Sequence, residues 1–186
     1  VGGGLTAIDS ATELMAYYPV QVEKILGRFE ELARSVGEAQ VLAAYSDEER
    51  DRLSTFLDHG RALRAERERA RRAGEAPDFS RLVNAWGGVS IVYRKSLVDS
   101  PAYRLNHEEI AKALEEGIRI VERLDPGEAV PDDNGWLKEV VFKRMRQDGG
   151  RWIDTGERVR LPARTLLVAA GTSPNITCEK ESPGTF

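Results

Sequence analysis

The sequence predicts an α/β fold with a central parallel sheet, helices on one face, an antiparallel β excursion on the other, and a helical insertion. Three patterns along the 186 residues favour it. A glycine turn leads directly into a helix; a short β-rich run is followed by a helix and a second β-branched run; and two alternating segments meet at a Gly-Gly turn. The strand–helix–strand order is typical of parallel strands joined by a crossover helix.

The first half of the chain is predicted to be mainly helical. Apolar residues recur at helical spacing over residues 6–17, and Pro19 is expected to break or restart that helix. Ser46 begins a capping box for a later helix, and Gly74 is expected to end it. Residues 19–86 are therefore predicted to be a helical insertion.

The next part of the chain contains a strand, a helix and a second strand. Residues 89–93 form a short β-rich run. A helix is predicted from Asn106 to Glu116, and Gly117 is expected to end it. The β-branched run at residues 118–121 completes the unit, for which we expect parallel strands.

The last third is predicted to contain antiparallel strands and one buried strand. Residues 125–135, rich in proline, glycine and aspartate, are predicted to be a loop or an exposed excursion. Residues 137–145 and 152–161 flank a Gly-Gly turn and are predicted to pair as antiparallel strands. Residues 165–170 form a nearly continuous apolar run, typical of a strand buried on both faces.

Composition and charge argue against several classes of function. The net charge of −4 gives no reason to expect nucleic acid or an anionic membrane as the principal partner. The single cysteine, Cys178, excludes an internal disulfide, and His59 and His107 have no neighbours at metal-ligand spacing. The arginines of residues 61–72 are interrupted by glutamates, which favours a solvated helix face, with binding of an acidic protein as the alternative. No apolar run approaches a membrane span, and a cytoplasmic protein is expected.

The glycine-rich start carries the main functional signal. Gly2, Gly4 and Ala7 fit the pattern G-x-G-x-x-A, in which the first glycine allows a tight turn, the second admits a pyrophosphate, and the alanine lets the helix approach the sheet. The helix N-terminus then faces the anion. Glycine clusters also form ordinary turns, which is the alternative. Because a phosphate turn requires a strand in front of it, we expect that the rest of this strand lies upstream in a parent protein or is disordered.

This pattern predicts a Rossmann-like, three-layer nucleotide-binding domain over residues 1–18 and 87–175, with a tail over residues 176–186. No catalytic or metal-binding residue is predicted in the chain. The predicted cofactor-binding residues of the turn and of the end of the last strand are Gly2, Gly3, Gly4, Leu5, Thr6, Ala7, Ala170 and Gly171.

The end of the strand at residues 89–93 favours NADPH over NADH. A site that prefers NADH usually places an acidic residue there, which binds the ribose 2′-hydroxyl. This sequence has Tyr93-Arg94-Lys95 instead. Arg94 and Lys95 are suited to bind a 2′-phosphate, with Arg104 as a further member of the pocket. The alternative is that these cations are solvated charges at a strand end.

These residues resemble the NADPH-binding domain of the glutamate synthase small subunit and of related FAD-dependent pyridine nucleotide-disulphide oxidoreductases. Four features carry the resemblance in the expected order and span nearly the whole chain apart from the insertion. They are Gly2-Gly3-Gly4 with Thr6-Ala7 and Asp9 for GGG-x-TA-x-D, Tyr93-Arg94-Lys95 for Y-R-R or Y-R-K, Pro101-Ala102 and Glu115-Glu116-Gly117-Ile118 for M-P-A and E-E-G-I/V, and Gly171-Thr172-Ser173-Pro174-Asn175 for G-x-x-P-N.

The resemblance implies a flavoprotein in which NADPH passes a hydride to FAD. FAD would be bound mainly by an FAD domain of the same parent chain, toward which residues 176–186 would lead. Electrons would leave through another domain, an electron-acceptor subunit or an iron-sulfur protein. The segment alone would not be catalytically complete.

Two features depart from the family pattern. Ser100 stands where methionine is usual, and residues 19–86 are far longer than the usual connection. A lengthened connection is similar to that of ferredoxin–NADP reductases of the adrenodoxin-reductase type, which are the alternative assignment. A third possibility is a non-catalytic module whose insertion binds a partner protein.

Overall fold

The computed structural model describes residues 1–171, 180–181 and 183–184. The chain divides into two compact units. The sheet unit comprises Val1–Ile8, Ile91–Glu109 and Ile120–Phe186, and the helical unit comprises Asp9–Ser90 and Ile110–Arg119. Among the described residues, no helix combines the length and the apolar content needed to cross a membrane.

The helices and strands follow one another along the chain as an α/β arrangement. The helices are α1 (Leu5–Val36), α2 (Glu38–Ala43), α3 (Asp47–Ala73), α4 (Phe79–Ala85), α5 (Pro101–Leu105) and α6 (His107–Glu115). The strands are β1 (Ser90–Tyr93), β2 (Arg119–Glu122), β3 (Leu124–Pro131), β4 (Leu137–Asp148) and β5 (Arg151–Pro162). A 3-10 turn at Leu97–Asp99 precedes α5. Strands β1 and β2 form a parallel pair, and β3, β4 and β5 form a separate antiparallel sheet.

Helix α1 runs without interruption through Pro19, so the prediction that this proline would break or restart the helix was wrong. A proline inside a helix removes a hydrogen bond and costs about 3 kcal/mol. Pro19 is buried, and it continues the face that buries Met15 and Val22. Burial of this continuous apolar face outweighs the local cost. The predicted start of the insertion at residue 19 consequently lies inside a helix.

Helix α3 begins and ends where its sequence predicts. The Ser46 hydroxyl accepts a hydrogen bond from the Glu49 N–H at 3.4 Å, and the Glu49 carboxylate accepts one from the Ser46 N–H at 2.8 Å. This reciprocal pair confirms the capping box. Gly74 ends the helix with φ of 69°, a left-handed conformation that its lack of a Cβ permits.

Helices α1 and α3 approach each other closely at Gly60. A Cβ atom at this position would lie 2.9 Å from the Val22 carbonyl oxygen and 3.0 Å from the Leu26 Cβ. The absence of a side chain therefore sets how near the two helices can come. The adjoining core cluster consists of Leu26, Phe29, Val41 and Leu57.

The arginines of residues 61–72 lie close to carboxylates of the helical unit. Arg67 makes a bidentate pair with Glu23, with both N–O distances at 2.8 Å. Arg64 donates to both oxygens of the Glu30 carboxylate at 2.7 and 2.8 Å. These pairs join α3 to α1, as expected for a solvated, ion-paired helix face.

Glu66 is a buried carboxylate, with 5% of its surface exposed. Arg69 donates two hydrogen bonds to it at 2.8 Å, and the Asp78 N–H donates a third at 2.9 Å. These donors, the Arg69 guanidinium first, lower the pKa of Glu66 from 4.5 to about 2. The bond from Asp78 ties the connection between α3 and α4 to the interior of the unit.

Glu66 is expected to make the stability of the protein sensitive to acid. Its pKa is lower in the folded chain than in the unfolded chain, so its contribution is complete above pH 4.5 and is lost as pH falls toward about 2. Glu66→Gln should therefore melt at a lower temperature than the wild type at pH 7. On acidification its melting temperature should fall less than that of the wild type, as measured by circular dichroism. Glu31→Gln, at an exposed position of α1, is the control. Identical pH profiles for Glu66→Gln and wild type would contradict this role.

The predicted strand–helix–strand unit is confirmed by β1, α6 and β2. Backbone hydrogen bonds at both ends of the pair, from the Arg119 N–H to the Val89 carbonyl and from the Arg123 N–H to the Lys95 carbonyl, measure 3.1 Å. The residue numbers rise together along both strands, as parallel pairing requires. Gly117 ends the preceding helix with φ of 86°.

Strand β3 occupies residues that were predicted to be a loop or an exposed excursion. The loop was wrong for residues 125–131, which pair with β4 as part of β3, and most residues of this strand are exposed. Strand β3 lies at the edge of the sheet, where a proline such as Pro126 is tolerated. A register shift between Pro126 and Glu128 accommodates the extra residue. The predicted hairpin of β4 and β5 is confirmed.

Residues 165–170 form no regular strand, and the prediction of a strand buried on both faces was wrong. Val168 is 75% exposed and Leu167 is 41% exposed. Backbone bonds to Val1 hold the segment: the Val1 ammonium donates to the Leu167 carbonyl at 2.6 Å, and the Ala169 N–H donates to the Val1 carbonyl at 2.8 Å. An apolar run becomes a fully buried strand only where other layers cover both of its faces.

Candidate functional site

Residues 2–4, the glycine turn, are fixed by the backbone on both sides. The Gly2 N–H donates to the Val92 carbonyl of β1 at 3.1 Å. On the opposite side, Val1 makes the two bonds to residues 167–169 described above. The backbone leading into the glycine turn therefore lies between β1 and residues 167–169.

Gly2 occupies a position with no room for a side chain. A Cβ atom there would overlap the carbonyl group of Ala169, with its carbonyl carbon 2.7 Å away. Gly2 also has φ of 150°, which L side chains rarely adopt. Both observations indicate that the first glycine is required by the close approach of the neighbouring backbone.

Gly3 is packed against an aromatic ring. A Cβ atom at Gly3 would lie 2.6 Å from Cδ2 and 2.8 Å from Cζ of Tyr93. The Gly3 carbonyl accepts a hydrogen bond from the Ala102 N–H at 3.0 Å. The Tyr93 hydroxyl donates to the Asp99 carbonyl at 3.4 Å. The turn is thus held by the residue that ends β1 and by the first turn of α5.

Gly4 differs from its two neighbours because the space beside it is open. A Cβ atom there would have nothing within 4 Å. Helix α1 begins at the next residue, with Leu5 and Thr6 exposed and Ala7 buried. The Ala7 N–H donates to the Gly4 carbonyl at 3.0 Å. Open space at the positive end of a 32-residue helix is suited to an anion.

Arg94 and Lys95 directly follow β1, as predicted. Arg94 is exposed and Lys95 is half-buried. The Lys95 carbonyl accepts the hydrogen bond from the Arg123 N–H, which joins the end of β1 to the end of β2. The strand that ends at Tyr93, directly before Arg94, is also the strand whose Val92 carbonyl binds the glycine turn.

Arg104 lies on α5 and makes an ion pair with Asp99 at 3.5 Å. This pair gives the side chain an acidic partner close to its own helix, and the role of Arg104 beside Arg94 stays a prediction. Ala170 is exposed, and Gly171 has φ of 108°. The remainder of the G-x-x-P-N motif lies outside the described residues, as does Cys178.

Three contacts of the site could not be found from sequence patterns. They are the hydrogen bond from Ala102 to Gly3, the packing of the Tyr93 ring on Gly3, and the backbone of Ala169 against Gly2. Each joins residues far apart in the chain. Only the Y-R-K pattern had indicated that Tyr93 was near the site, and it gave no reason for the aromatic ring.

His59 takes part in an aromatic cluster of the helical unit. Its ring stacks on Trp86 with centroids 3.8 Å apart, and its Nδ1 lies 2.6 Å from the Tyr18 hydroxyl. Burial lowers the pKa of His59, which favours the neutral ring as an acceptor for Tyr18. In the part of the chain that the structure describes, no group of three or more histidine, cysteine, aspartate or glutamate residues could hold a metal ion.

The chain is similar to a curated protein of Rickettsia. No family model matches the chain. The uncharacterized protein RP006 of Rickettsia prowazekii (strain Madrid E) is 32% identical over 142 residues, which cover 76% of this chain. The matched region amounts to 18% of the length of that curated relative.

Proposed function

We propose that this chain is the NADPH-binding domain of an FAD-dependent oxidoreductase in which NADPH passes a hydride to FAD. The observation that carries the proposal is the geometry of the glycine turn. Two glycines have no room for a side chain, the third opens to free space, and a long helix begins directly after it. This arrangement fits a backbone that approaches a pyrophosphate.

The order of backbone segments in the sheet unit supports a Rossmann-like interpretation. Residues 167–169 bond to Val1, Gly2 bonds to β1, and β1 pairs with β2. The order across the sheet is therefore residues 167–169, Val1, β1 and β2. The glycine turn follows Val1, which lies between residues 167–169 on one side and the two strands on the other. This order is the one expected for one half of a dinucleotide-binding fold.

The residues present fit NADPH in two respects. The open position at Gly4 and the start of α1 would receive the pyrophosphate through backbone N–H groups and the helix dipole. Arg94, at the end of the neighbouring strand, is exposed and carries a guanidinium suited to a 2′-phosphate. The role of this chain would be to bind and orient the dinucleotide, which supplies the hydride.

The rest of the reaction would take place outside this chain. FAD would be held mainly by an FAD domain of a parent protein, and electrons would pass to an acceptor subunit or an iron-sulfur protein in the cytoplasm. The Rickettsia relative is several times longer than the matched region, so a chain of that length has room for such domains.

The first test is calorimetric titration of the whole chain with NADPH and with NADH at physiological salt. Saturable binding of NADPH, with weaker binding of NADH, is expected from the glycine turn and from Arg94. A chain that stays folded but binds neither dinucleotide would contradict the proposed function.

Arg94→Ala is expected to weaken NADPH binding at least about tenfold, since a charge-assisted hydrogen bond to phosphate is worth more than the 1.4 kcal/mol that corresponds to this factor. NADH, which lacks the 2′-phosphate, should bind almost as tightly as it binds the wild type. Arg151→Ala removes an exposed arginine from the start of β5 and provides the charge-matched control. Equal losses for both dinucleotides in Arg94→Ala would contradict the role assigned to Arg94.

A further inference from the structure

Three cationic residues lie at one edge of the parallel pair. Arg94 and Lys95 follow β1, and Arg123 follows β2. The carboxyl ends of parallel strands meet at the same edge of a sheet. The hydrogen bond of 3.1 Å from the Arg123 N–H to the Lys95 carbonyl joins the two strand ends directly.

The three side chains differ from most arginines of the protein in their electrostatic surroundings. Arg104, Arg144, Arg158 and Arg160 of the sheet unit all have carboxylate partners. Within residues 1–171, 180–181 and 183–184, no ion pair or side-chain hydrogen bond involves Arg94, Lys95 or Arg123. Cations that have no carboxylate partner are available to bind an anion.

The backbone of Arg123 is in a conformation that arginine rarely adopts. Its φ is 60°, and in the described part of the chain no other non-glycine residue has a positive φ. Two hydrogen bonds hold it there: its N–H donates to the Lys95 carbonyl, and its carbonyl accepts from the Met145 N–H at 2.8 Å. Glycine or asparagine would fit this left-handed position with less strain. An unfavourable backbone conformation that retains a cation at a strand end indicates a role for its side chain.

We propose that Arg123 is a third member of the cation cluster that selects a 2′-phosphorylated dinucleotide, together with Arg94 and Lys95. The ligand class is a phosphate monoester on the adenosine ribose. This inference rests on the proposed binding of NADPH by the glycine turn. It adds a specificity-determining residue that no sequence pattern of the chain indicated.

The experiment titrates the whole chain and its variants with NADPH and NADH at two salt concentrations. Arg123→Gly removes the cation and relaxes the backbone, so the variant should melt at or above the wild-type temperature. NADPH affinity should fall at least about fivefold, with a weaker dependence on salt, whereas NADH affinity should stay unchanged. Arg123→Asn, whose side chain tolerates the same conformation, should behave like Arg123→Gly. Arg123→Lys, which keeps a cation, should recover part of the NADPH affinity.

The outcomes separate this inference from the function on which it rests. If Arg123→Gly and Arg123→Asn keep the wild-type selectivity for NADPH, the role of Arg123 is overturned and the proposed function is not. Equal losses of NADPH and NADH would also overturn it, since they would indicate a structural effect. A wild-type chain that binds neither dinucleotide would overturn the proposed function and this inference together. Arg151→Ala again controls for the change in net charge.

Discussion

Gly2→Ala is expected to lower the free energy of unfolding by about 3 kcal/mol, near the upper end of what overpacking of a close contact usually costs. The added methyl group would overlap the Ala169 carbonyl, and the φ of 150° is unfavourable for alanine. Relief of the clash would require residues 167–169 to move away from Val1, which would break two backbone hydrogen bonds. Urea denaturation followed by circular dichroism would measure the change.

Gly4→Ala is the matched control because it adds the same methyl group two residues later, where nothing lies within 4 Å. Its stability should stay close to that of the wild type. The methyl group would occupy the space assigned to the pyrophosphate, so NADPH and NADH should both bind more weakly. If Gly2→Ala and Gly4→Ala are both as stable as the wild type, the turn tolerates a side chain at both positions, and the structural basis for the site is removed.

Leu26→Ala is expected to have the second large effect, a loss of about 2–5 kcal/mol in the free energy of unfolding. Leu26 is fully buried, at 0% exposure, in the cluster with Phe29, Val41 and Leu57. Its Cβ also lies against Gly60, where α1 and α3 meet. Truncation would leave a cavity at this crossing, and close packing of two helix backbones leaves little freedom to fill it. Thermal and urea unfolding would measure the loss.

Leu32→Ala supplies the comparison on the same helix. Leu32 is 51% exposed, and its truncation should cost less than about 1 kcal/mol, because about half of its surface already contacts water. The difference between the two variants separates packing from helix propensity, since both replace leucine by alanine within α1. Similar losses would contradict the position of the core of the helical unit.

Local signals in the sequence were sufficient for several boundaries. Ser46 and Gly74 set the ends of α3 through hydrogen bonds made within a few residues, so no knowledge of the tertiary fold was needed. The hairpin of β4 and β5 follows in the same way from alternation and a Gly-Gly turn. These features depend on contacts between near neighbours in the chain.

The wrong predictions concern residues whose conformation depends on distant parts of the fold. Pro19 lies inside α1 because its helix buries a continuous face. Pro126 lies in a strand because β3 is at the edge of its sheet. Val168 is exposed although its neighbours in sequence are apolar. Periodicity and turn composition do not specify which layers will cover a segment.

The candidate site was predictable to the extent that its residue types carry chemistry. Three glycines before a helix, and two cations after the next strand, indicated a dinucleotide and its phosphate. The spatial support was not predictable, because the Tyr93 ring, the Ala102 N–H and the Ala169 backbone come from separate segments. Arg123, which we propose as a further member, has no such signal: its unusual φ is a property of the backbone, and an arginine after a strand has no distinctive pattern.

The position of Arg123 as the one residue between β2 and β3 also restricts how the gene can change in length. A residue inserted there would disturb the two backbone hydrogen bonds of Arg123, to the Lys95 carbonyl and from the Met145 N–H, because strands flank it directly on both sides. Gly149-Gly150 lies in an exposed turn, where added residues are tolerated as in other surface loops. Among homologues, we therefore expect variation in length at the hairpin turn and a constant spacing between the parallel pair and the antiparallel sheet.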